Sequence, residues 1–409
     1  MKLKKFNLRY YPPGIGLEYI QSGVHKTKMI DLLDLTVRTN LEEVATNIML
    51  KEPIISPNLM DLLIEALSKL QKKLFDATKK FFYKHRTVKA HLLPLTNVSF
   101  DKESKRCLTG SYDRLCKVWN VEDGQLLLVL EGHQNVVYSV TFNNPRCSLE
   151  CFDFSDRILT GSFDRTAKLW DADTGDCLVT FWGHVAEVVG AQFNMAGDTV
   201  ATISMDTTAR LFDVATGQEL KTLNGHSGEV VAFDFSTNNS LLITGSFDSK
   251  ILMWDIRSYE CIGLFEGHSR EISNCLFNFN SSLIASSSMD QTVNLWDVLD
   301  IAFNSKGTQL ATASSDSTAR IFNMCSADFN EIAVLKDHSE EISKICFHPA
   351  GDLVLTASQD CTSRIWNSDS GSCLQILEGH SDEVFSCAFS YHGDSIITAS
   401  KDNSFIIWR

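Results

Sequence analysis

One block of about 42 residues recurs along most of this chain, and that period constrains the fold more than any single motif. The stretch Arg157–Asp171, RILTGSFDRTAKLWD, shows its core. An alternating run holding Ile158 and Thr160 meets a tight turn at Ser162-Phe163-Asp164-Arg165, and a second run ends in Leu169 and Trp170. Alternation on both sides of a turn reads as a β-hairpin. One hairpin cannot bury its own apolar face, so the copies must cover one another. The turn aspartates are Asp113, Asp164, Asp206, Asp248, Asp290, Asp316, Asp360 and Asp402. The aromatics that close the following strand are Trp119, Trp170, Phe212, Trp254, Trp296, Phe322, Trp366 and Trp408, spaced by 51, 42, 42, 42, 26, 44 and 42 residues. A His, usually after Gly, precedes most hairpins: His91, His133, His184, His226, His268, His338 and His380.

Four-stranded units of this length with Gly-His and Trp-Asp marks resemble the WD40 repeat family, whose units close radially into a propeller. The resemblance covers residues 81–409. It implies an all-β WD40 β-propeller, and eight hairpins imply eight blades, one of them incomplete. Residues 1–80 do not repeat and are expected to form a small N-terminal α/β extension. The two ends of the repeat region suggest how the ring shuts. The chain ends at Trp408-Arg409 in the third strand of a blade, while Phe81–Lys89 reads as an outer strand without a blade. Pairing the two would tie the ring closed.

Two intervals depart from the period. The 51-residue interval is about nine too long, with the excess in Pro145–Ser155, expected to be a surface loop. The 26-residue interval is about sixteen too short. There Trp296-Asp297-Val298 runs directly into Leu299–Phe303, which reads as the innermost strand of the next blade. One outer strand and its Gly-His corner are missing, so a strained, three-stranded blade is expected near residues 290–305. A shortened transcript or an imperfect gene model would leave the same gap.

In the N-terminal part, Leu8–Ile20 suggests two strands around Pro12-Pro13-Gly14, and KTKMIDLLDL a third. Thr39 or Asn40 is placed to cap a helix through Lys51. Ser56-Pro57 starts a second helix. Its stripe of Leu59, Leu62, Leu63, Ala66, Leu67, Leu70 and Leu74 suits either the chain's own core or a partner.

Charge divides the chain. Residues 1–89 carry a net +7 and the remainder −21. An acidic ring argues against nucleic acid, because phosphate neutralisation needs Lys and Arg. The basic extension suits an acidic partner or simply a solvated surface. No apolar run is long enough for a bilayer, and the start lacks the apolar core of a secretory signal. Twelve scattered Cys suit a reduced, cytosolic protein. Cys177, Cys261 and Cys373 take equivalent positions and read as small buried strand residues. The close pair Cys147 and Cys151 has no second pair for zinc, so no metal and no cofactor are expected.

The repeat holds the ingredients of a nucleophilic triad, for example His133, Ser162 and Asp164. Catalysis needs one such set in a cleft. Here the set recurs beside the strand Trp, which marks a structural corner network of His133, His184, His226, His268, His380, Asp164, Asp206, Asp248, Trp170 and Trp254. No phosphate loop, HExxH or GxSxG is present, and no catalytic residue is assigned. One rim carries more information. Tyr112, Phe163, Met205, Phe247 and Met289 stand just before the turn Asp, followed around the ring by Ser315, Gln359 and Lys401. Glu187, Glu229, Glu271, Glu341 and Glu383 stand three residues after the His. Repetition puts both sets on one end of the ring, as an aromatic and Met run beside a ring of carboxylates. Singly, each residue reads as turn cover or solvated charge; as a set they read as a protein-binding rim with acids to steer a basic partner.

LRYYPPGIGLEY, KTKMIDLLDL, KAHLLPLTNVSF, TGSYDRLCKVW and KDNSFIIWR narrow the resemblance to the axonemal dynein assembly factors with WD repeats. That group implies a non-enzymatic, monomeric adaptor of cytoplasm and cilium or flagellum, including its base. It would link outer-arm axonemal dynein to a subunit of the intraflagellar transport machinery, without membrane insertion. The alternative is a substrate receptor of a cullin–RING ubiquitin ligase, because Trp254-Asp255-Ile256-Arg257 resembles the box that docks propellers onto such ligases.

Overall fold

The computed structural model describes residues 2–9, 14–21, 24–32, 35, 39–52, 55, 57–77, 81–143, 157–290, 298–325 and 330–409. They form two compact units, Met1–Phe81 with His392–Asp394, and Phe82–Tyr391 with Ser395–Arg409.

In the first unit, β1 (Lys2–Arg9), β2 (Gly14–Gln21) and β3 (Val24–Asp31) make an antiparallel sheet in sequence order. Ile15 and Leu17 of β2 are fully buried. Helix α1 (Leu41–Lys51) starts where Asn40 Oδ1 accepts the Glu42 N–H at 3.0 Å. This satisfies one of the N–H groups a helix start leaves open. Pro57–Leu59 is a single 3-10 turn leading into α2 (Met60–Ala77). Leu63, Ala66, Leu67 and Leu70 are buried, and α2 packs on α1 and β1. These four members of the apolar stripe are therefore core, with Leu59 half-buried and Leu62 left exposed at its edge.

The second unit is a ring of eight blades. Blades 1 to 4 run Leu95–Leu130, Val137–Phe181, Val188–Asn224 and Val230–Glu266, and blades 6 and 7 run Val298–Leu335 and Ile342–Glu378. Each has four antiparallel strands in chain order from inside to outside. Blade 8 combines Val384–Trp408 with Lys84–Lys89, and register partners run from Ser404↔Lys89 to Trp408↔Lys84. Tyr83 and Arg409 exchange both backbone hydrogen bonds, at 2.8 and 3.0 Å. The ring thus closes by pairing the start of the repeat region with its last strand. Inner strands neighbour one another all the way round, the strand of blade 8 lying against that of blade 1.

The core lies between blades. Leu211 and Leu223 of blade 3 meet Val230, Leu252 and Trp254 of blade 4, and equivalent sets recur. In blade 5 the described strands are two, Ile272–Phe277 and Ile284–Ser288. The third strand expected at Trp296 falls on residues 291–297, outside the described residues, as does the Pro145–Ser155 insertion with Cys147 and Cys151. Val298–Phe303 is the innermost strand of blade 6, as its sequence suggests.

Asp300, on that strand, joins three blades. Its carboxylate accepts from Asn274 Nδ2 at 2.8 Å in blade 5, and from the Ile345 N–H at 2.9 Å and Lys344 Nζ at 3.2 Å in blade 7. The reading of Cys177, Cys261 and Cys373 as buried is overturned. Cys177 and Cys261 are exposed and Cys373 is half-buried. They stand near the start of outer strands, opposite the Trp at a register shift, where the edge meets solvent.

Candidate functional site

Each corner is built by a hairpin turn and the His that precedes the blade. After the turn Asp the backbone enters the left-handed region, at φ 71° for Arg165 and 70° for Thr207. Non-Gly residues avoid that region. Asp164 Oδ1 compensates by accepting the Thr166 N–H at 3.0 Å, and Asp206 Oδ1 accepts that of Thr208 at 3.0 Å, which are Asx turns. The second oxygen faces the His. His133 Nδ1 lies 2.8 Å from Asp164 Oδ2, with the same pairing at His91–Asp113, His184–Asp206, His226–Asp248, His268–Asp290, His338–Asp360 and His380–Asp402.

The other ring nitrogen, Nε2, meets the hydroxyl of a strand residue that the motif reading missed. Thr160 Oγ1 is 2.7 Å from His133 Nε2 and accepts the Trp170 indole N–H at 2.9 Å. Thr244 does the same between His226 and Trp254. One direction satisfies every group: indole N–H to Thr oxygen, Thr O–H to Nε2, Nδ1–H to carboxylate, with the His neutral. Ser162 is not part of this chain. Fully buried, it donates to the Asn135 carbonyl and accepts the Asp164 N–H. The would-be nucleophile is thus a turn brace two residues from the hydroxyl that touches the His.

These bonds set the pH response. Burial works to raise Asp164, but bonds from His133, Thr166 and the Gln134 N–H outweigh it and hold the carboxyl well below the usual range. Asp113, Asp206, Asp248, Asp360 and Asp402 are also lowered, by the same opposition of burial and corner bonds. Burial lowers His184, against the pull of Asp206. In both cases the unfolded chain binds more protons as pH falls, so stability declines toward acid. The His184 contribution fades from about pH 6.5 downward and the aspartate contributions from about pH 4 downward. Urea midpoints should be level at pH 7–8, slightly lower at pH 5.5 and much lower at pH 3. A midpoint unchanged between pH 7 and pH 3 contradicts this account.

The rim follows from the same turns. The residue before each turn Asp donates its N–H to the carbonyl of the residue three after the His. Met205, Phe247 and Met289 do so to Glu187, Glu229 and Glu271 at 2.9–3.0 Å. Gln359 and Lys401 do so to Glu341 and Glu383, each at 2.9 Å. The two rings of residues are therefore neighbours on one end. They are not uniform around it. In blades 1 and 2 the Glu positions hold Pro94 and Val136, and the N–H donors are Tyr112 and Phe163. Phe163 stacks on Tyr138 at 5.2 Å, and Tyr112, Tyr138, Leu92 and Leu93 are exposed. In blades 3 to 5, Glu187 is exposed, with Glu229 and Glu271 half-buried, beside half-buried Met205 and Met289 and exposed Phe247. In blades 7 and 8 the acids are engaged by the ring itself, Gln359 Nε2 reaching Glu341 at 2.8 Å and Lys401 Nζ reaching Glu383 at 2.9 Å. One arc is apolar, the next mixes apolar and acidic groups, and the last is internally paired. Tyr138 carried a signal. It is the second residue of its inner strand, where other blades hold Thr96, Val189, Val231, Ser273, Leu299, Ser343 and Phe385.

Arg257 is exposed beyond Trp254, and its N–H bonds Asp255 Oδ1 at 2.7 Å, a local turn brace. Among the described residues no cluster of three His, Cys, Asp or Glu could hold a metal ion, and no helix is long and apolar enough to cross a membrane.

Eight segments match the family model described as WD domain, G-beta repeat: residues 82–120, 124–171, 175–213, 217–255, 259–297, 298–323, 329–367 and 371–409. The sixth is the shortest and follows directly on the fifth. The chain is 47% identical over 145 residues to the Danio rerio protein named dynein assembly factor with WD repeat domains 1, covering 36% of this chain and 35% of that protein. The Homo sapiens protein of that name gives the same identity and coverage. The match thus spans about a third of the length of these relatives. Eukaryotic translation initiation factor 3 subunit I of Saccharomyces cerevisiae is 32% identical over 108 residues, 26% of this chain and 28% of that protein. The ligase reading of Trp254–Arg257 gains no support from these relatives.

Proposed function

This chain belongs to the WD40 repeat family, and from that premise we propose that it is a non-enzymatic adaptor for outer-arm axonemal dynein. It would serve dynein assembly or ciliary transport, linking dynein cargo to a subunit of the intraflagellar transport machinery in the cytoplasm and at the base of the cilium. Relatives named dynein assembly factor support the cargo class. The observation that carries the binding mode is the polarised rim. Exposed aromatic and aliphatic side chains at Tyr112, Tyr138, Leu92 and Leu93 adjoin Met205 and Phe247 with their neighbours Glu187 and Glu229. Exposed aromatics at the centre of a surface act as anchors, and charges around them guide approach. The acids favour a cargo segment that offers Lys or Arg beside apolar residues.

Combining Phe163→Ser, Met205→Ser and Phe247→Ser should weaken dynein capture by roughly 100-fold, the product of several anchor losses of about 2 kcal/mol or less. The melting curve should keep a single cooperative transition. Wild-type capture of outer-arm dynein by the folded triple variant rules out this surface.

A further inference from the structure

The seven described corners are built alike, so the side chains that a corner leaves free can be compared directly. The residue after each His serves the corner through its backbone N–H. Leu92, Val185 and Ser227 all donate it to the turn Asp, at 3.3, 3.0 and 2.9 Å. The side chain at this place is Gln134 in blade 2 and Ser227, Ser269, Ser339 and Ser381 in blades 4, 5, 7 and 8. In blades 1 and 3 it is Leu92 and Val185, 86% and 72% exposed. The residue two before the His is Lys, Glu or Asn in six corners, Lys89, Glu131 and Glu378 among them. In the corner of blade 3 it is Trp182, 69% exposed. Polar residues make the same corner, so these three apolar side chains contribute nothing to it. They stand on the same blades as the Tyr138–Phe163 stack and exposed Leu93 and Tyr112.

The backbone of this arc is already engaged. The Leu92 carbonyl accepts Asn403 Nδ2 at 3.2 Å. The carbonyls of Leu93, Asn135 and Ala186 accept the hydroxyls of Ser111, Ser162 and Ser204, each at 3.1 Å. Those of Pro94, Val136 and Glu187 accept the N–H groups of Tyr112, Phe163 and Met205. Strand addition depends on free main-chain groups, and these corners offer it none. A partner lying on apolar side chains must then satisfy its own N–H and C=O groups, which an α-helix does within itself. Charge gives the arc two ends. Exposed Arg114 and Arg165 follow the turn Asp in blades 1 and 2, where blades 3, 4 and 8 hold Thr207, Ser249 and Asn403. Exposed Glu187 and half-buried Glu229 stand at blades 3 and 4. The ring segments outside the described residues join elsewhere. Residues 144–156 link Asn143 to Arg157, at the ends of those strands away from Val136 and Phe163, and 291–297 and 326–329 belong to blades 5 and 6.

We propose that the arc over blades 1 to 3 docks an amphipathic α-helix of the cargo. Its apolar stripe lies on Leu92, Tyr138, Trp182 and Val185, with acidic residues toward Arg114 and Arg165 and basic residues toward Glu187 and Glu229. This rests on the reading of the rim as the dynein-binding surface, extends that surface outward to Trp182, and names the form of the bound segment.

The test uses the full chain and purified outer-arm dynein. Leu92→Ser, Trp182→Glu and Val185→Ser install residues that other corners hold at the same places, so the melting temperature should stay at the wild-type value. Together they should weaken dynein capture roughly tenfold or more. p-Benzoylphenylalanine placed at Trp182 should cross-link one dynein segment, and a synthetic peptide of that segment should bind the chain with a gain of helical circular dichroism. Equal capture by wild type and the folded triple variant overturns this site and leaves the proposed function standing. No capture by the wild-type chain refutes the cargo assignment and this docking together. A cross-linked segment that binds without gaining helix refutes the helical partner. A dimer in sedimentation that the triple variant dissociates also overturns the proposal, because a second copy then covers the arc.

Discussion

A chain lacking residues 401–409 should show no cooperative melt of the ring. Phe405, Ile406 and Ile407 are fully buried and Trp408 is 3% exposed. At about 1.5–3 kcal/mol per large buried side chain, their loss removes about 6–12 kcal/mol. Whole domains are stable by about 5–15 kcal/mol. The deletion also removes the partner of Lys84–Lys89, so the damage reaches both ends of the repeat region. Trp408 belongs to the core shared with blade 7, and Phe405 packs at 5.4 Å on Trp119 of blade 1, so two blade interfaces open together. Scanning calorimetry decides the matter. A transition at the wild-type temperature shows that the ring does not depend on this closure.

Blade count, the closing strand and the inner strand of blade 6 were legible in the sequence because a fixed period multiplies a weak local signal. Eight copies of an Asp before an aromatic say more than any one hairpin. The same repetition identified the corner His and Asp. It did not single out Thr160 or Thr244, because Thr is ordinary on a strand and only the fold brings its hydroxyl to the His. Ser162 was the more conspicuous residue and turned out to brace the turn. The Cys reading failed for a related reason. Equivalent position in a repeat says that residues share an environment, not which environment it is. The uneven rim was half legible: its sequence positions repeat, but the Gln359–Glu341 and Lys401–Glu383 pairings depend on which side chain sits opposite.

Asp300→Ala should cost about 3 kcal/mol, the loss of a charge-assisted bond together with the desolvation of a stranded buried donor. Asp300 is 4% exposed and accepts from groups of blades 5 and 7. Its charge also raises the Lys344 pKa, with burial opposing. The Lys344 side chain is 41% exposed and can turn to water when the carboxylate goes. The Ile345 N–H cannot, and Asn274 is left half-satisfied. Asp300→Asn, which keeps an acceptor, should lose less than half as much. Chemical denaturation of the three proteins at pH 7 gives the comparison, and equal stability of wild type and Asp300→Ala refutes the role. Nothing in the sequence marked this residue. It becomes informative only when Val298–Phe303 is seen to lie between the inner strands of blades 5 and 7.

Closing one blade with strands from opposite ends of the repeat region also sets an order of events during synthesis. Lys84–Lys89 leaves the ribosome some 320 residues before Ser404–Trp408 and waits for it. Until then the facing surfaces of blades 1 and 8 lie open, with Trp119 and Cys107 lacking the cover of Phe405 and Ile407. Each earlier blade can form as it emerges, but the ring cannot close before Ser404–Trp408 has emerged. A nascent chain of this kind presents unpaired edges and apolar faces until that strand arrives. Its demand for chaperones is therefore written into the connectivity of a single sheet.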